Sequence, residues 1–364
     1  GDTCKKLRRL RIERGDDDPG LQEEQGGVSQ LGLTAVAVGC RDLEYIAAYV
    51  SDITNGALES IGTFCKNLYD FRLVLLDRQK QVTDLPLDNG VRNNSVLVTL
   101  NFYMTELKVV PADLELLAKN CKSLLSLKIS ECDLSDLIGF FEAANALQDF
   151  AGGSSHASEL TKYEKVKFPP RVCFLGLTFM GKNEMPVIFP FSASLKKLDL
   201  QYTFLTTEDH CQLISKCPNL FVLEVRNVIG DRGLEVVGDT CKKLRRLRIE
   251  RGDDDPGLQE EQGGVSQLGL TAVAVGCRDL EYIAAYVSDI TNGALESIGT
   301  FCKNLYDFRL VLLDRQKQVT DLPLDNGVRA LLRSCTKLRR FALYLRPGGL
   351  SDTGLDYIGH YSGI

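Results

Sequence analysis

Two arginines and two tyrosines carry the chemistry that this sequence offers most plainly. Arg248, Tyr286, Arg309 and Tyr344 each fall four or six residues after the first leucine of an L-x-x-Φ-x-Φ run, in which Φ is apolar. Side chains alternate along a strand, so these positions turn away from the core. Adjacent strands lie about 4.8 Å apart, which gathers the four side chains into one group. Arg226 stands one strand earlier and Arg246 nearby. A guanidinium forks onto a carboxylate or phosphate, and each such charged hydrogen bond is worth about 1.5–3 kcal/mol. The phenols add flat contact area and a hydroxyl each. Such a group suits a small anion with an apolar body. Glu224, Glu250 and Asp307 offer the other reading, an ordinary charged surface on which acids neutralise the arginines.

Other chemistries find little to work with. His156, His210 and His360 are scattered and fit neither a metal nor a triad spacing. The sequence has no G-x-x-x-x-G-K-[ST] phosphate loop and no G-x-S-x-G elbow. No C-x-x-C pair suggests zinc. The run Asp253-Asp254-Asp255 lacks the spaced ligands of a calcium loop. Cys173 and Cys211 are poor candidates for a nucleophile, so the chain is expected to be non-catalytic and metal-free. A net charge of −6 argues against a general nucleic-acid binder. No apolar run of about 18 residues suggests a membrane span.

The elements that must position the arginines repeat along the whole chain. The strand signature starts at Leu7, Leu43, Leu68, Leu97, Leu124, Leu147, Val172, Leu195, Leu220, Leu244, Leu280, Leu305 and Leu338, mostly 23 to 29 residues apart. Helical patterns such as 231–238 and 292–302 lie between them. A strand plus a helix at this period is a leucine-rich repeat. The expected fold is an α/β leucine-rich-repeat solenoid, a curved horseshoe with parallel strands on the concave face and helices on the convex face. Cys4, Cys40, Cys65, Cys121, Cys217, Cys241, Cys277, Cys302 and Cys335 each sit three residues before a signature leucine. One slot used so regularly implies small buried thiols and a reducing compartment, cytosol or nucleus.

The chain holds one stretch twice. Residues 238–329 repeat residues 1–92 without a substitution, so the organisation is read as repeats 1–92, a copy, followed by repeats 93–364 in one solenoid. Long acidic loops are expected at 15–27 and 252–264, and others at 152–159 and 313–321; loops of this length are either functional or disordered. At Arg92/Asn93 the next signature leucine comes five residues on, where after the second copy it comes nine residues on. The helix there is expected to be shortened, or its strand pairing strained. The first copy reproduces Arg11, Tyr49 and Arg72, and Tyr103 falls in the slot that Tyr344 fills, which sets up a near-copy of the anion site.

Several strings resemble one family. They include Arg248-Ile-Glu-Arg-Gly, Tyr286-Val-Ser-Asp-Ile-Thr-Asn, Asp307-Phe-Arg-Leu-Val-Leu-Leu-Asp-Arg, Thr320-Asp-Leu-Pro-Leu-Asp-Asn-Gly-Val-Arg, Asn101-Phe-Tyr-Met-Thr-Glu and Gly181-Lys-Asn-Glu-Met-Pro-Val-Ile-Phe-Pro-Phe. All are similar to the plant jasmonate co-receptors, F-box leucine-rich-repeat proteins, more than to the related auxin receptors. The likeness runs from about Asn93 to the C-terminus. It implies the substrate-receptor arm of an SCF-type ubiquitin ligase, active in the nucleus and cytoplasm. In that family jasmonoyl-isoleucine or coronatine holds down the degron of JAZ repressors. The resemblance places ligand binding on Arg248, Tyr286, Arg309, Leu313 and Tyr344, and degron contact on Arg251. It places an inositol polyphosphate cofactor on Arg246 and Arg309. The F-box and the last repeats have no counterpart here, so a SKP1-type adaptor is not expected to bind. Weakened hormone binding is expected too, and β-edge exposure at Leu7–Ile12. The alternative is a repeat scaffold, non-functional or designed, without hormone binding.

Overall fold

The computed structural model describes residues 4–12, 28–50, 53–75, 95–102, 110–129, 132–154, 160–252, 264–313 and 321–361. The join at 92/93, Tyr103, His156 and most of the four long loops lie outside the described residues. Contacts divide the chain into two compact units, residues 1–179 and 180–364. Each is a run of strand–helix repeats of the leucine-rich type, with parallel strands.

In the first unit the strands are β1 (Arg9–Ile12), β2 (Tyr45–Val50), β3 (Asp70–Leu75), β4 (Thr99–Asn101), β5 (Ser126–Lys128), β6 (Asp149–Ala151) and β7 (Phe174–Thr178). Between them lie α1 (Gln30–Gly39), α2 (Asn55–Phe64), α3 (Pro111–Asn120) and α4 (Ile138–Ala143). The second unit carries β8 (Lys197–Tyr202), β9 (Val222–Arg226), β10 (Arg246–Glu250), β11 (Tyr282–Val287), β12 (Asp307–Leu312) and β13 (Arg340–Tyr344). Its helices are α5 (Thr207–Ile214), α6 (Gly230–Thr240), α7 (Gln267–Gly276), α8 (Asn292–Phe301), α9 (Asp325–Ser334) and α10 (Asp352–Tyr361). Every strand begins two residues after one of the signature positions, because the middle apolar residue of each run enters the core there.

The pairing is in register from one repeat to the next. Leu198, Leu223, Leu247, Ile283 and Phe308 are successive partners across β8 to β12. All five are at most 2% exposed. Full burial of such a side chain is worth about 1.5–3 kcal/mol, so this ladder fixes which faces point outward. The register of β4 on β3 is that of β13 on β12, over three residue pairs against five. Asp70↔Thr99 and Arg72↔Asn101 on β3/β4 match Asp307↔Arg340 and Arg309↔Ala342 on β12/β13. The helix expected to be shortened at the join lies outside the described residues.

Helix ends are tied to the preceding repeat. Asp231 on α6 accepts from the backbone N–H groups of Ser266 (2.7 Å) and Gly269 (3.0 Å), and its other oxygen accepts from the Ser266 hydroxyl at 2.6 Å. Asp325 receives Ser351 in the same way, with its backbone N–H at 3.0 Å. At the other end the α6 and α7 backbones meet closely. A Cβ at Gly276 would lie 2.1 Å from the Gly238 carbonyl oxygen, so glycine is required there.

Buried thiols line the helix ends. The Cys277 thiol donates to the Cys241 carbonyl at 3.3 Å, and Cys335 to that of Cys302 at 3.4 Å. Eight of the nine cysteines in the repeated slot are buried, and Cys4 is exposed. Burial accounts for both outcomes. Among the described residues β1 pairs with β2 alone, and none covers Cys4 from the other side. Leu10 and Ile12 of β1 are half-buried for the same reason, whereas their copies Leu247 and Ile249 are 0% and 1% exposed.

Candidate functional site

Three rows of side chains cross the open face of β9 to β13, and the strand register defines them. The first row runs Val222, Arg246, Tyr282, Asp307 and Arg340. The second runs Glu224, Arg248, Ala284, Arg309 and Ala342. In the third, Arg226 pairs with Glu250, and Tyr286 with Val311 and then Tyr344. Arg248, Tyr286, Arg309 and Tyr344 therefore lie on one surface, as strand parity requires.

Tyr282 is the centre of the arrangement, and sequence reasoning passed it over. The Arg246 guanidinium stacks 4.3 Å from its ring centroid, and Arg309 lies 5.8 Å from the same ring. Tyr282 is only 9% exposed, so it forms a fixed floor beneath both cations. The signal was present in the sequence: Tyr282 stands two residues before Ala284, on the same strand face. Arg246 also donates to the Tyr306 hydroxyl at 3.1 Å.

Acidic partners orient the arginines. Arg309 donates from Nε and one Nη to the two carboxylate oxygens of Asp307, both at 2.9 Å. Arg340 approaches that carboxylate at 3.8 Å. The bonds to Asp307 raise the Arg309 pKa above the ordinary arginine value. Arg248 donates to Glu250. Burial works against the Arg248 charge, but the bond to Glu250 and the surrounding carboxylates outweigh it and raise its pKa. On β8 and β9, Lys197 pairs with Glu224 at 3.0 Å. Burial pushes the neighbouring Asp199 carboxyl up to about 6, against a bond from the Gln201 N–H and helped by Glu224.

The remaining candidate residues ring this surface. Tyr344 is 65% exposed and Tyr286 half-buried. Arg251 is exposed just after β10, and Leu313 follows β12, its N–H bonded to the Val287 carbonyl at 2.8 Å. Ala284, Ala342 and Val311 leave a low apolar floor between the arginines, with tyrosines at the rim. The arrangement can hold a carboxylate or phosphate at the guanidiniums and an apolar body over the alanines. Arg246, Arg309 and Arg340 around Tyr282 and Asp307 also fit the charge of a polyphosphate.

Residues 1–179 rebuild the core of this group. Arg9 stacks 4.6 Å from the Tyr45 centroid and Arg72 lies 5.7 Å from it. Arg72 forks onto Asp70 with two bonds of 2.8 Å. Arg11 and Arg72 share a row through Ala47, and Tyr49 pairs with Val74 in the next. Tyr103 lies outside the described residues.

Among the described residues no three His, Cys, Asp or Glu side chains gather as metal ligands, and no helix is long and apolar enough to cross a membrane. His210 is buried, its Nδ1 2.7 Å from the Thr206 carbonyl oxygen, and burial lowers its pKa. Burial raises the Cys211 thiol pKa, which opposes nucleophilic use.

No family model matches the chain. It is 89% identical over 272 residues to coronatine-insensitive protein homolog 1a of Oryza sativa, covering 74% of this chain and 46% of that protein. That length equals residues 93–364. The chain is a coronatine-insensitive-like protein. It is 56% identical over 343 residues to coronatine-insensitive protein 1 of Arabidopsis thaliana, covering 92% of this chain and 57% of that one. It is 35% identical over 192 residues to the Arabidopsis F-box protein FBX14, covering 52% of this chain and 30% of the other. The chain spans about half the length of the curated coronatine-insensitive relatives it matches.

Proposed function

We propose that the chain is the ligand- and degron-binding repeat region of an F-box substrate receptor in jasmonate signalling, without catalysis of its own. Arg248 and Arg309 bind the carboxylate of jasmonoyl-isoleucine or coronatine. Tyr286, Leu313 and Tyr344 enclose its apolar part, and Arg251 meets the degron of a JAZ repressor. An inositol polyphosphate is held by Arg246 and Arg309, where it supplies negative charge against the guanidiniums. The protein works in the nucleus and cytoplasm, and the receptor it represents reaches the ligase through a SKP1-type adaptor. The observation that carries this reading is the Arg309 guanidinium, forked onto Asp307 and beside the Tyr282 ring, in one row with Arg248 across Ala284.

A rival reading draws on the same geometry. Arg248 and Arg309 already bond Glu250 and Asp307, which suits a repeat scaffold that binds no hormone. Fluorescence anisotropy of a labelled JAZ degron peptide, with and without coronatine, separates the two. Coronatine-dependent, saturable capture that Arg309→Ala abolishes supports the receptor. Equal anisotropy with and without coronatine supports the scaffold.

A further inference from the structure

One joint between neighbouring helices recurs with the same residues. A helix that begins Asp-x-Gly followed by Leu or Val presents its aspartate to a Ser-x-x-Gly at the start of the next helix. Asp231 on α6 accepts from Ser266 and Gly269 of α7, and Asp325 on α9 accepts from the backbone N–H and hydroxyl of Ser351 before α10. The glycine makes room for the aspartate. A Cβ at Gly269 would lie 2.6 Å from the Asp231 carboxylate and 2.9 Å from a Leu234 methyl, and one at Gly354 would strike Asp325. Each half of this joint also stands alone. Ser29 and Gly32 of α1 are the copies of Ser266 and Gly269, yet Ser29 makes no capping bond. Among the described residues a Cβ at Gly32 would meet Val28 alone, at 3.6 Å. At the other end α10 opens with Asp352-x-Gly-Leu355. Asp352 is exposed, and Leu355 is 59% exposed where its counterpart Leu234 is fully buried. The adjoining strands match: Leu10 and Ile12 of β1 and Phe341 and Leu343 of β13 are all half-buried, and each strand has a neighbour on one side.

We propose that a second copy of this chain completes the joint, with α1 and β1 of one copy docking on α10 and β13 of the other. The model for the contact lies within the chain, where α7 and β10, identical in sequence to α1 and β1, dock on α6 and β9. Asp352 then accepts from the Ser29 backbone N–H and hydroxyl and from the Gly32 N–H, and Leu355 fills the space over Gly32. β1 adds to β13 in parallel, with Leu10 beside Phe341 and Ile12 beside Leu343. Arg9 falls opposite Arg340, but Arg9 stacks on Tyr45 and Arg340 leans toward Asp307, so the two guanidiniums point apart. The contact is heterologous, because the two copies use different faces. A copy bound through one face still offers the other, so the assembly grows with concentration instead of closing as a symmetric dimer. This inference goes beyond the receptor reading and stands without it.

The test is sedimentation velocity of the full chain from about 1 to 100 µM. The weight-average mass should climb above the 40.3 kDa of one chain as concentration rises. Gly32→Leu has room in a single chain and none at the joint, so it blocks the α1 face. Asp352→Ala removes an exposed acceptor and disables the α10 face. Each variant should weaken association at least tenfold and leave the circular dichroism spectrum and the melting curve at the lowest concentration unchanged. Mixed together, the two variants retain one intact joint, between α10 of the first and α1 of the second. They should form a 1:1 dimer that grows no further. A mass of 40.3 kDa at every concentration would overturn the proposal. Growth that Asp352→Ala leaves unaltered would do the same, as would a mixture of the variants that stays monomeric while the unaltered chain associates.

Discussion

Replacing Arg309 with alanine removes two charge-assisted hydrogen bonds from a carboxylate that is almost out of water. The Asp307 side chain is 3% exposed, both bonds measure 2.9 Å, and the nearest remaining cation is Arg340 at 3.8 Å. A buried acceptor left unsatisfied costs about 1–3 kcal/mol. Arg309 is 43% exposed, so solvent screens its side of the pair and Arg340 takes over part of the role. The expected loss is therefore at the lower end, about 1–2 kcal/mol. Asp307→Asn keeps the shape without the charge and should cost less than about 1 kcal/mol. The double variant Asp307→Asn/Arg309→Ala should then be more stable than Arg309→Ala alone, since it holds no buried carboxylate. Urea unfolding of the four proteins, followed by circular dichroism at neutral pH, measures this coupling. Additive effects, with Arg309→Ala indistinguishable from wild type, would refute the claim that Asp307 anchors the arginine. On the receptor reading the same anchoring holds the guanidinium proposed to meet the ligand, which would lower the ordering cost of binding.

Three further outcomes follow from local environments. Asp231→Ala should destabilise the second unit by about 1–2 kcal/mol, because it strips three hydrogen bonds from the start of α7. Ser29→Ala at the start of α1 should cost only a few tenths of that amount, since the Ser29 side chain makes no capping bond there; thermal melts of the two variants provide the comparison. Native-state alkylation at pH 8 with mass-spectrometric mapping should modify Cys4 and spare Cys217 and Cys302, whose thiols burial pushes up to about 12. Burial holds the Asp199 carboxyl up at about 6, above the 3.8 of an exposed aspartate, so the native state holds the extra proton between those values. Its contribution is present below pH 3.8 and lost as pH rises through 6. Asp199→Asn should flatten that part of the stability–pH curve, by about 1–2 kcal/mol for a half-buried carboxyl, as read from urea midpoints across the range.

Much of the fold was legible because one residue, the signature leucine, does the same physical work in every repeat. It marks where a strand enters the core, so the start of each strand and the face of each side chain follow from counting. Strand parity likewise placed Arg248 and Arg309 in one row. Tyr282 escaped notice because only positions four and six were followed, although position two shares their face. Contacts between repeats were not legible. Asp231 caps a helix whose N-cap, Ser266, lies 35 residues later, and nothing near Ser266 announces it. Position among neighbours is also invisible in a repeated string: Leu10 and Leu247 are the same letter in the same words, yet β1 leaves one half-exposed and β9 covers the other.

The central claim is that the arginines of β10 and β12 read a carboxylate. Coronatine and its methyl ester differ at that group alone, so calorimetric titration of the chain with each is the most direct measurement. The account predicts saturable binding of the free acid, a loss of at least tenfold for the ester, and little difference between the two once Arg248 and Arg309 are both replaced by alanine. Equal binding of acid and ester by the unaltered chain would contradict it.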